Sequence, residues 1–478
     1  MKHYIYCHQP MWHVKGGAVG YLSHLYSGLA LTGNFIGKNN LRHNFLFPSS
    51  LTGNHICDEL SDETHYAQAL QYKNGSDCAF IEQKKKWFKE VMPLEQALKI
   101  DLSRIKSIHI HGVYNFIPVY NFLRWHGIEN EVIKILTTHN PTKPELEDLA
   151  YSQGKVKPDE LDDFHFFHNY RDELAFSLSD ALLFPCEEAM EAYYKTWPGF
   201  SSIIKGKAVY FAETGALKSD VVTPAQILRK SRQIPDDATV FLYIGRFMTV
   251  RGIDIYVEAA RKILNQNNNV YFLAVGDETP TPFIEHDHWL QLPFTNYPAD
   301  YIAMADACVI ASRHNYFDLS MIEILSQGTP LIAAETGGCR YLRGRTRGVI
   351  YFQPDRTDDL ASAMLSFCAI GQDGVEVMKS DNLELYNKEL TAERFADRYV
   401  RTLDKIYEDF NISPSKRRVV NKFLNQQKQE SRRLITEPAE KSYYLNGTPR
   451  ERRLRKLRKL RNSPWAYFRD GLNNMFRN

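Results

Sequence analysis

The sequence predicts an α/β protein of two Rossmann-like, doubly wound domains followed by a basic helical tail. Three observations predict it. Short, mostly apolar runs alternate with helical patterns through the first 400 residues, the alternation restarts near Thr239, and the composition changes after Pro414. Apolar runs of that length suit parallel strands covered on both faces, which present no polar side. Strands that alternate with helices collect into one parallel sheet per unit. A chain of 478 residues is long enough for two such cores and an appendage.

The elements follow in order. Residues 3–7 (HYIYC) read as a first strand, and Gly16-Gly17 opens a helix with Leu22, Leu25 and Leu29 at helical spacing. Residues 107–112 (SIHIHG), 134–139 (KILTTH), 181–185 (ALLFP) and 208–213 (AVYFAE) continue the first unit. A polar stretch at 214–235 with Gly215, Pro224 and Pro235 reads as the hinge. The second unit takes strands beginning near Thr239, Val270, Ala307, Pro330 and Gly348, and a helix at about 391–410 closes it. The expected domains are therefore 1–218, 219–412, whose last helix is expected to pack back toward the first domain, and a tail, 413–478.

Composition narrows the class. No run of 18 apolar residues occurs and the start lacks the apolar core of a secretory signal, so a cytoplasmic protein is expected. Seven scattered cysteines without a CxxC pair argue against a disulfide framework and a zinc site. The net charge of +2 conceals an asymmetry: residues 413–478 hold 18 Lys/Arg and 5 Asp/Glu, against 41 and 52 in the rest. An acidic body with a basic tail points to an anionic surface as the tail's partner.

Two segments carry chemistry. In residues 243–254 (YIGRFMTVRGID) a buried strand ends at Gly245, and Arg246 and Arg251 follow at its carboxyl edge, where two guanidinium groups are placed to hold a diphosphate. Two surface arginines with a helix-capping Asp254 fit the segment equally well. In residues 311–338 a strand leads through a loop into a helix starting near Asp318, with Leu319, Ile322 and Leu325 facing the core, Gly328 as its cap and Pro330 opening the next strand. The free N–H groups of that helix start suit a diphosphate. Glu323, among apolar positions, needs a partner such as ribose hydroxyls, although a carboxylate at the edge of the buried face also fits. Gly337-Gly338 offers a further close-approach loop. His109, His111 and His139 sit at carboxyl ends of strands, where open α/β sheets build their sites.

From Tyr243 to about Phe352 the chain resembles the donor domain of family-4 retaining glycosyltransferases of the GT-B fold. The elements that carry the resemblance are the Gly-Arg turn followed by Arg251-Gly252, Val275-Gly276-Asp277, Ala305-Asp306-Ala307, and Glu323 followed by Gly-Thr-Pro and Gly-Gly. The resemblance implies that Arg246 and Arg251 bind the donor diphosphate, that Glu323 binds the ribose, and that amides near Phe317, Asp318 and Leu319 touch the phosphates. It extends more loosely to the first domain, implying acceptor binding there, a donor-facing Gly16-Gly17 turn, and a His139 that approaches the reacting sugar. Two departures stand out: Asn315 where the family has a first glutamate, and Asp318 where it has Gly. Asn315 therefore bears on sugar choice or on activity itself.

The tail reads separately. Residues 450–461 hold eight basic residues and leucines at 454, 457 and 460; Ser463-Pro464 then starts a helix with Trp465, Phe468, Leu472 and Phe476 on one face. A basic helix followed by an aromatic-apolar one is an interfacial membrane signature, and similar runs end bacterial capsule and lipopolysaccharide glycosyltransferases. The expected function is metal-independent hexosyl transfer from a nucleotide sugar to a glycan or lipid-linked acceptor, peripheral on the inner membrane face. No cofactor or DxD metal motif is expected, and no nucleic-acid partner. An epimerase of the same fold and a catalytically inert partner subunit are the alternatives.

Overall fold

The structure, a computed structural model, describes residues 2–7, 17–33, 44–47, 105–125, 128–152, 156–266, 269–277 and 281–411. Gly16 and the tail residues 413–478 lie outside the described residues. The first sheet holds β1 (Lys2–Tyr6), β2 (Asn44–Leu46), β3 (Ile105–His111), β4 (Ile133–Thr137), β5 (Ala181–Phe184) and β6 (Ala208–Phe211) in the order β2-β1-β3-β4-β5-β6. The second holds β7 (Thr239–Gly245), β8 (Val270–Gly276), β9 (Trp289–Pro293), β10 (Ala307–Ile310), β11 (Leu331–Ala334) and β12 (Val349–Phe352) in the order β12-β11-β10-β7-β8-β9. Every pairing is parallel. Each sheet belongs to its own doubly wound lobe, as the sequence predicts.

Burial explains why the strands are legible. All seven residues of β8 and every residue of β4, β5, β10 and β11 are buried. The strand order reverses between β1 and β3 in the first lobe and between β7 and β10 in the second. A crevice opens beyond the carboxyl ends of strands at such points, and ligands bind there.

The chain crosses between lobes twice, at neighbouring places. Ala216 N–H donates to Leu390 O at 3.0 Å and forms an isolated bridge with Thr391. A Cβ on Gly215 would lie 2.2 Å from Thr391 O, so only glycine permits this approach. The returning crossover contains a π-helical turn, Tyr386–Leu390, whose Tyr386 hydroxyl donates to Ala216 O at 2.9 Å.

The helix Ala392–Asn411 then packs on the first lobe through a buried polar chain whose protons are fixed by one carbonyl. Thr137 donates to Leu183 O at 2.7 Å, so it accepts from His109 Nε2–H at 2.8 Å. His109 Nδ1 therefore accepts from the Tyr399 hydroxyl at 2.8 Å, which accepts from His3 Nε2–H at 2.8 Å. His3 Nδ1 accepts from Ser107 at 2.6 Å, and Ser107 accepts from Tyr407 at 2.5 Å. This direction leaves both imidazoles neutral, as their complete burial requires. His109, a candidate from its strand-end position, is thus a structural residue.

Candidate active site

The second lobe supplies one wall. After β7 the chain makes a 3-10 turn, Thr249–Arg251, closed by Gly252 at φ 72°. A Cβ on Gly252 would sit 1.9 Å from Ala311 O, so glycine lets the Arg251 turn press against the end of β10. Arg313 secures the same turn: its N–H donates to Val250 O at 3.0 Å and its guanidinium to both Asp254 oxygens at 2.8 and 2.7 Å. Asp254, which the sequence offers as a helix cap, is a partner of Arg313 instead, and Gly252 takes the cap position of the helix Ile253–Leu264.

Around β10 the loop chemistry differs from the simple expectation. Asn315 is fully buried and donates through Nδ2 to Asp318 Oδ2 at 2.7 Å. Arg251 pairs with the same oxygen. Asp318 has the backbone of an N-cap for the helix Leu319–Gln327, yet its side chain makes no capping bond. Its carboxylate is turned to Arg251 and Asn315. Burial works against the Arg251 charge, but the adjoining Asp318 outweighs it and holds the guanidinium pKa up. The Gly337-Gly338 turn approaches protein backbone closely: an added Cβ would meet Asn315 O at 1.9 Å or Tyr316 O at 2.6 Å. Phe317 is buried against Tyr341, with ring centroids 5.2 Å apart. Glu323 is half-buried with no hydrogen bond or ion pair at its carboxylate among the described residues, and burial pushes its pKa up.

The first lobe supplies the facing wall. His139 lies two residues beyond the end of β4, so the strand is shorter than its apolar pattern implies. Its φ of 62° is unusual for a side chain of this size and marks a site where the fold holds the backbone against its preference. His139 Nε2 is 2.7 Å from His111 Nδ1, and the two rings stack at 5.0 Å. Burial lowers the His139 pKa to about 3, keeping it neutral. Tyr21 packs edge-on against His139 at 5.0 Å, and Tyr316 from the second lobe lies 6.3 Å away.

Asn140 and Glu147 complete this wall. Asn140 Nδ2 donates to Glu147 Oε2 at 2.5 Å. Burial raises the Glu147 pKa, opposed by the Asn140 bond and by the charges of Arg251 and Arg246 across the cleft. Arg246 is exposed; burial of its head group, then Arg251, lower its pKa, while Glu147 and Asp318 act against them. The sequence gives little sign of Glu147, because a carboxylate in the first turn of the helix Pro144–Tyr151 reads as ordinary dipole compensation. A second link between lobes runs from Glu191, which accepts from Gly337 N–H at 2.9 Å and pairs with Arg340 at 3.2 Å.

The structure thus brings Arg251, Asn315 and Asp318 into contact, with Arg246 in electrostatic reach and His139 opposite. Leu319, at the helix start, touches the helix Gly17–Leu31: a Cβ on Gly20 would be 2.4 Å from Leu319 Cδ1. Gly17 is exposed at the start of that helix, and a Cβ added there would meet nothing within 4 Å. Glu323 stands apart from the cluster, further along its own helix.

Residues 238–369 match the family described as Glycosyl transferases group 1. The second lobe carries a group 1 domain. That match takes in Arg246, Arg251, Asn315, Asp318 and Glu323 and leaves out His139 and Glu147. The chain is similar to the alpha-D-kanosaminyltransferase of Streptomyces kanamyceticus, 24% identical over 140 residues, covering 27% of this chain and 36% of that protein. It is also similar to D-inositol 3-phosphate glycosyltransferase 2 of Catenulispora acidiphila, 27% identical over 129 residues, covering 23% and 30%. The chain thus spans about a third of the length of these relatives. Solved structures match far more of it. Sucrose-phosphate synthase of Thermosynechococcus elongatus superposes with a TM-score of 0.55 at 16% identity, over 85% of this chain and 99% of that one. Anabaena HepE in complex with UDP gives a TM-score of 0.51 at 12% identity, over 84% and 99%. The fold around the group 1 domain is GT-B.

Proposed function

We propose that the chain is a retaining glycosyltransferase of the family-4 type, moving a hexosyl group from a nucleoside-diphosphate sugar to a glycan or lipid-linked acceptor in cell-surface polysaccharide synthesis. The observation that carries this reading is the pair Arg246 and Arg251 at the carboxyl edge of β7, beside the amino end of the helix Leu319–Gln327, in a lobe with a group 1 domain. As the bond from the sugar to the diphosphate breaks, negative charge grows on the departing phosphate. Two guanidinium groups and the first-turn amides oppose that charge, so the reaction in this reading calls for no divalent metal. Glu323, without a carboxylate partner among the described residues, accepts from the ribose hydroxyls, and Phe317, Asp318 and Leu319 lend backbone to the phosphates. His139 faces the sugar, and the glycines of the Gly16-Gly17 sequence let it approach the first lobe. Asn315, tied to Asp318, tunes sugar choice. Transferase activities named for two relatives and a UDP complex of a GT-B neighbour support the donor class.

The tail, by its basic and aromatic-apolar sequence, holds the enzyme on the cytoplasmic face of an anionic membrane near a lipid-linked acceptor. No helix among the described residues is long and apolar enough to cross a membrane. A catalytically inert partner subunit is the second reading, favoured by the Asp318 carboxylate that already occupies Arg251. A panel of nucleotide sugars, scored by thermal shift and then by release of nucleoside diphosphate, separates the two. Stabilisation with turnover supports the enzyme, stabilisation without turnover supports the inert subunit, and no stabilisation by any nucleotide sugar defeats both.

A further inference from the structure

The pairing of two neutral histidines in the cleft carries information about where a proton sits. His111 is fully buried at the end of β3 and has one partner for its ring nitrogens, His139 Nε2, 2.7 Å from its Nδ1. Its other nitrogen, Nε2, is buried with no partner among the described residues. His139 is only partly buried, with Tyr316 of the second lobe facing its ring, and its Nδ1 makes no hydrogen bond among the described residues.

A neutral imidazole carries a single N–H, so only two arrangements make the bond between the rings. In one, His111 Nδ1–H donates to His139 Nε2; His111 Nε2 is then a bare lone pair, and the proton of His139 is on Nδ1, facing the cleft. In the other, His139 Nε2–H donates; His111 must then bury an N–H without an acceptor, and His139 shows the cleft a lone pair. Buried N–H groups without partners are rarer than under-used acceptors, which favours the first arrangement. The left-handed backbone at His139 and the ring packing of Tyr21 hold the imidazole in the orientation that this bond needs.

We propose that His111 is a positioning residue that fixes His139 in the tautomer presenting an Nδ1–H donor to the cleft, where it meets a hydroxyl or other acceptor oxygen of the bound sugar. The inference about the sugar rests on the glycosyltransferase reading; the inference about the tautomer does not. The full-length protein, labelled with ¹⁵N only in its histidines, reports the tautomer directly through two-bond ¹H–¹⁵N correlations, with His139→Gln identifying the signals. Nδ1 of His139 is expected in the protonated range and Nε2 in the unprotonated range. The reverse pattern, or rapid averaging between the two, overturns the proposal whatever the activity.

For turnover, His111→Asn keeps a side-chain N–H donor close to the position of Nδ1, whereas His111→Leu fills the space without one. With the donor sugar that the panel selects, the Leu variant should lose at least tenfold in kcat with nucleoside-diphosphate affinity unchanged, and the Asn variant should recover most of it. Full activity in the Leu variant would mean that His111 only fills space, and equal losses in the two variants would mean that an N–H donor at this position is not what holds His139. A protein that turns over no sugar nucleotide but shows the expected nitrogen signals would refute the enzymatic reading and leave the tautomer assignment standing.

Discussion

In the proposed donor site a bound nucleoside diphosphate would compete with Asp318 for Arg251, and hydrogen-bond energetics give that competition a size. The two side chains are 12% and 22% exposed, so their bond is shielded from most screening by solvent. A charge-assisted hydrogen bond of this kind contributes about 1.5–3 kcal/mol, and its neutral counterpart about 0.5–1.5. A diphosphate that recruits Arg251 must first detach it from the Asp318 carboxylate. Asp318→Asn weakens the bond to be broken by about 1–1.5 kcal/mol, so the variant should bind nucleoside diphosphate roughly tenfold more tightly than the wild type. Arg251→Ala removes the guanidinium altogether and should weaken the same ligand roughly tenfold to a hundredfold. Calorimetric titration of the three proteins with one nucleoside diphosphate tests both directions at once. Unchanged or weaker binding by Asp318→Asn would show that the carboxylate supports the phosphate site rather than opposing it.

Burial raises the pKa of Glu323, so stability is lost as the pH climbs from the ordinary carboxylate value to the raised one; Glu323→Gln should raise Tm by on the order of 2 °C at pH 8 and not at pH 4, while weakening nucleoside-diphosphate binding. Equal Tm gains at the two pH values would rule out a charged Glu323 as the cause. His109, His111 and His139 have lowered pKa values, chiefly through burial, so the unfolded chain binds more protons. Stability held above about pH 6.5 should drain away as the pH falls toward 3, visible as a steep drop in denaturation midpoint in that window. Tyr399→Phe deprives His3 Nε2 and His109 Nδ1 of a shared partner and should destabilise the fold by roughly 2–4 kcal/mol, more than Tyr407→Phe, in urea titrations; a smaller effect than Tyr407→Phe contradicts the place of Tyr399 between the two imidazoles. Truncation after residue 449 should abolish salt-sensitive flotation with anionic vesicles and leave nucleotide binding intact, and undiminished flotation would assign the tail another role.

The strands buried on both faces were readable because nothing polar interrupts them. β9 was not, since WLQLP pairs only with β8 and leaves its middle half exposed, and three-residue β2 offers too short a run. The arginines after β7 could be located from spacing, but not the partner of Arg251, because the loop 311–318 brings residues 67 positions apart together only once Gly252 packs on Ala311. Glu147 and Glu191 were invisible for the same reason: each meets its counterpart across the cleft, a relation with no local pattern. The histidines stood out, yet sequence could not separate His109, committed to Tyr399 and Thr137, from His139, which faces the cleft.

The adjoining crossovers at Ala216 and Thr391 have a consequence for how such proteins can be recombined. The chain begins its first lobe at β1, leaves it, and comes back to finish it with the helix Ala392–Asn411, whose Tyr399 is tied to His3 in that first strand. Everything between the two crossing points is in effect a cassette set into a host whose own ends are already stitched together. Its entry and exit are one hydrogen bond apart, from Ala216 N to Leu390 O. A second lobe taken from another GT-B protein has to match that doorway and the contacts that Glu191 and Gly20 make with it. The host keeps His111, His139 and Glu147, while the exchanged piece carries Arg246, Arg251, Asn315, Asp318 and Glu323, so chimaeras cut at these two points would trade one wall of the cleft and retain the other.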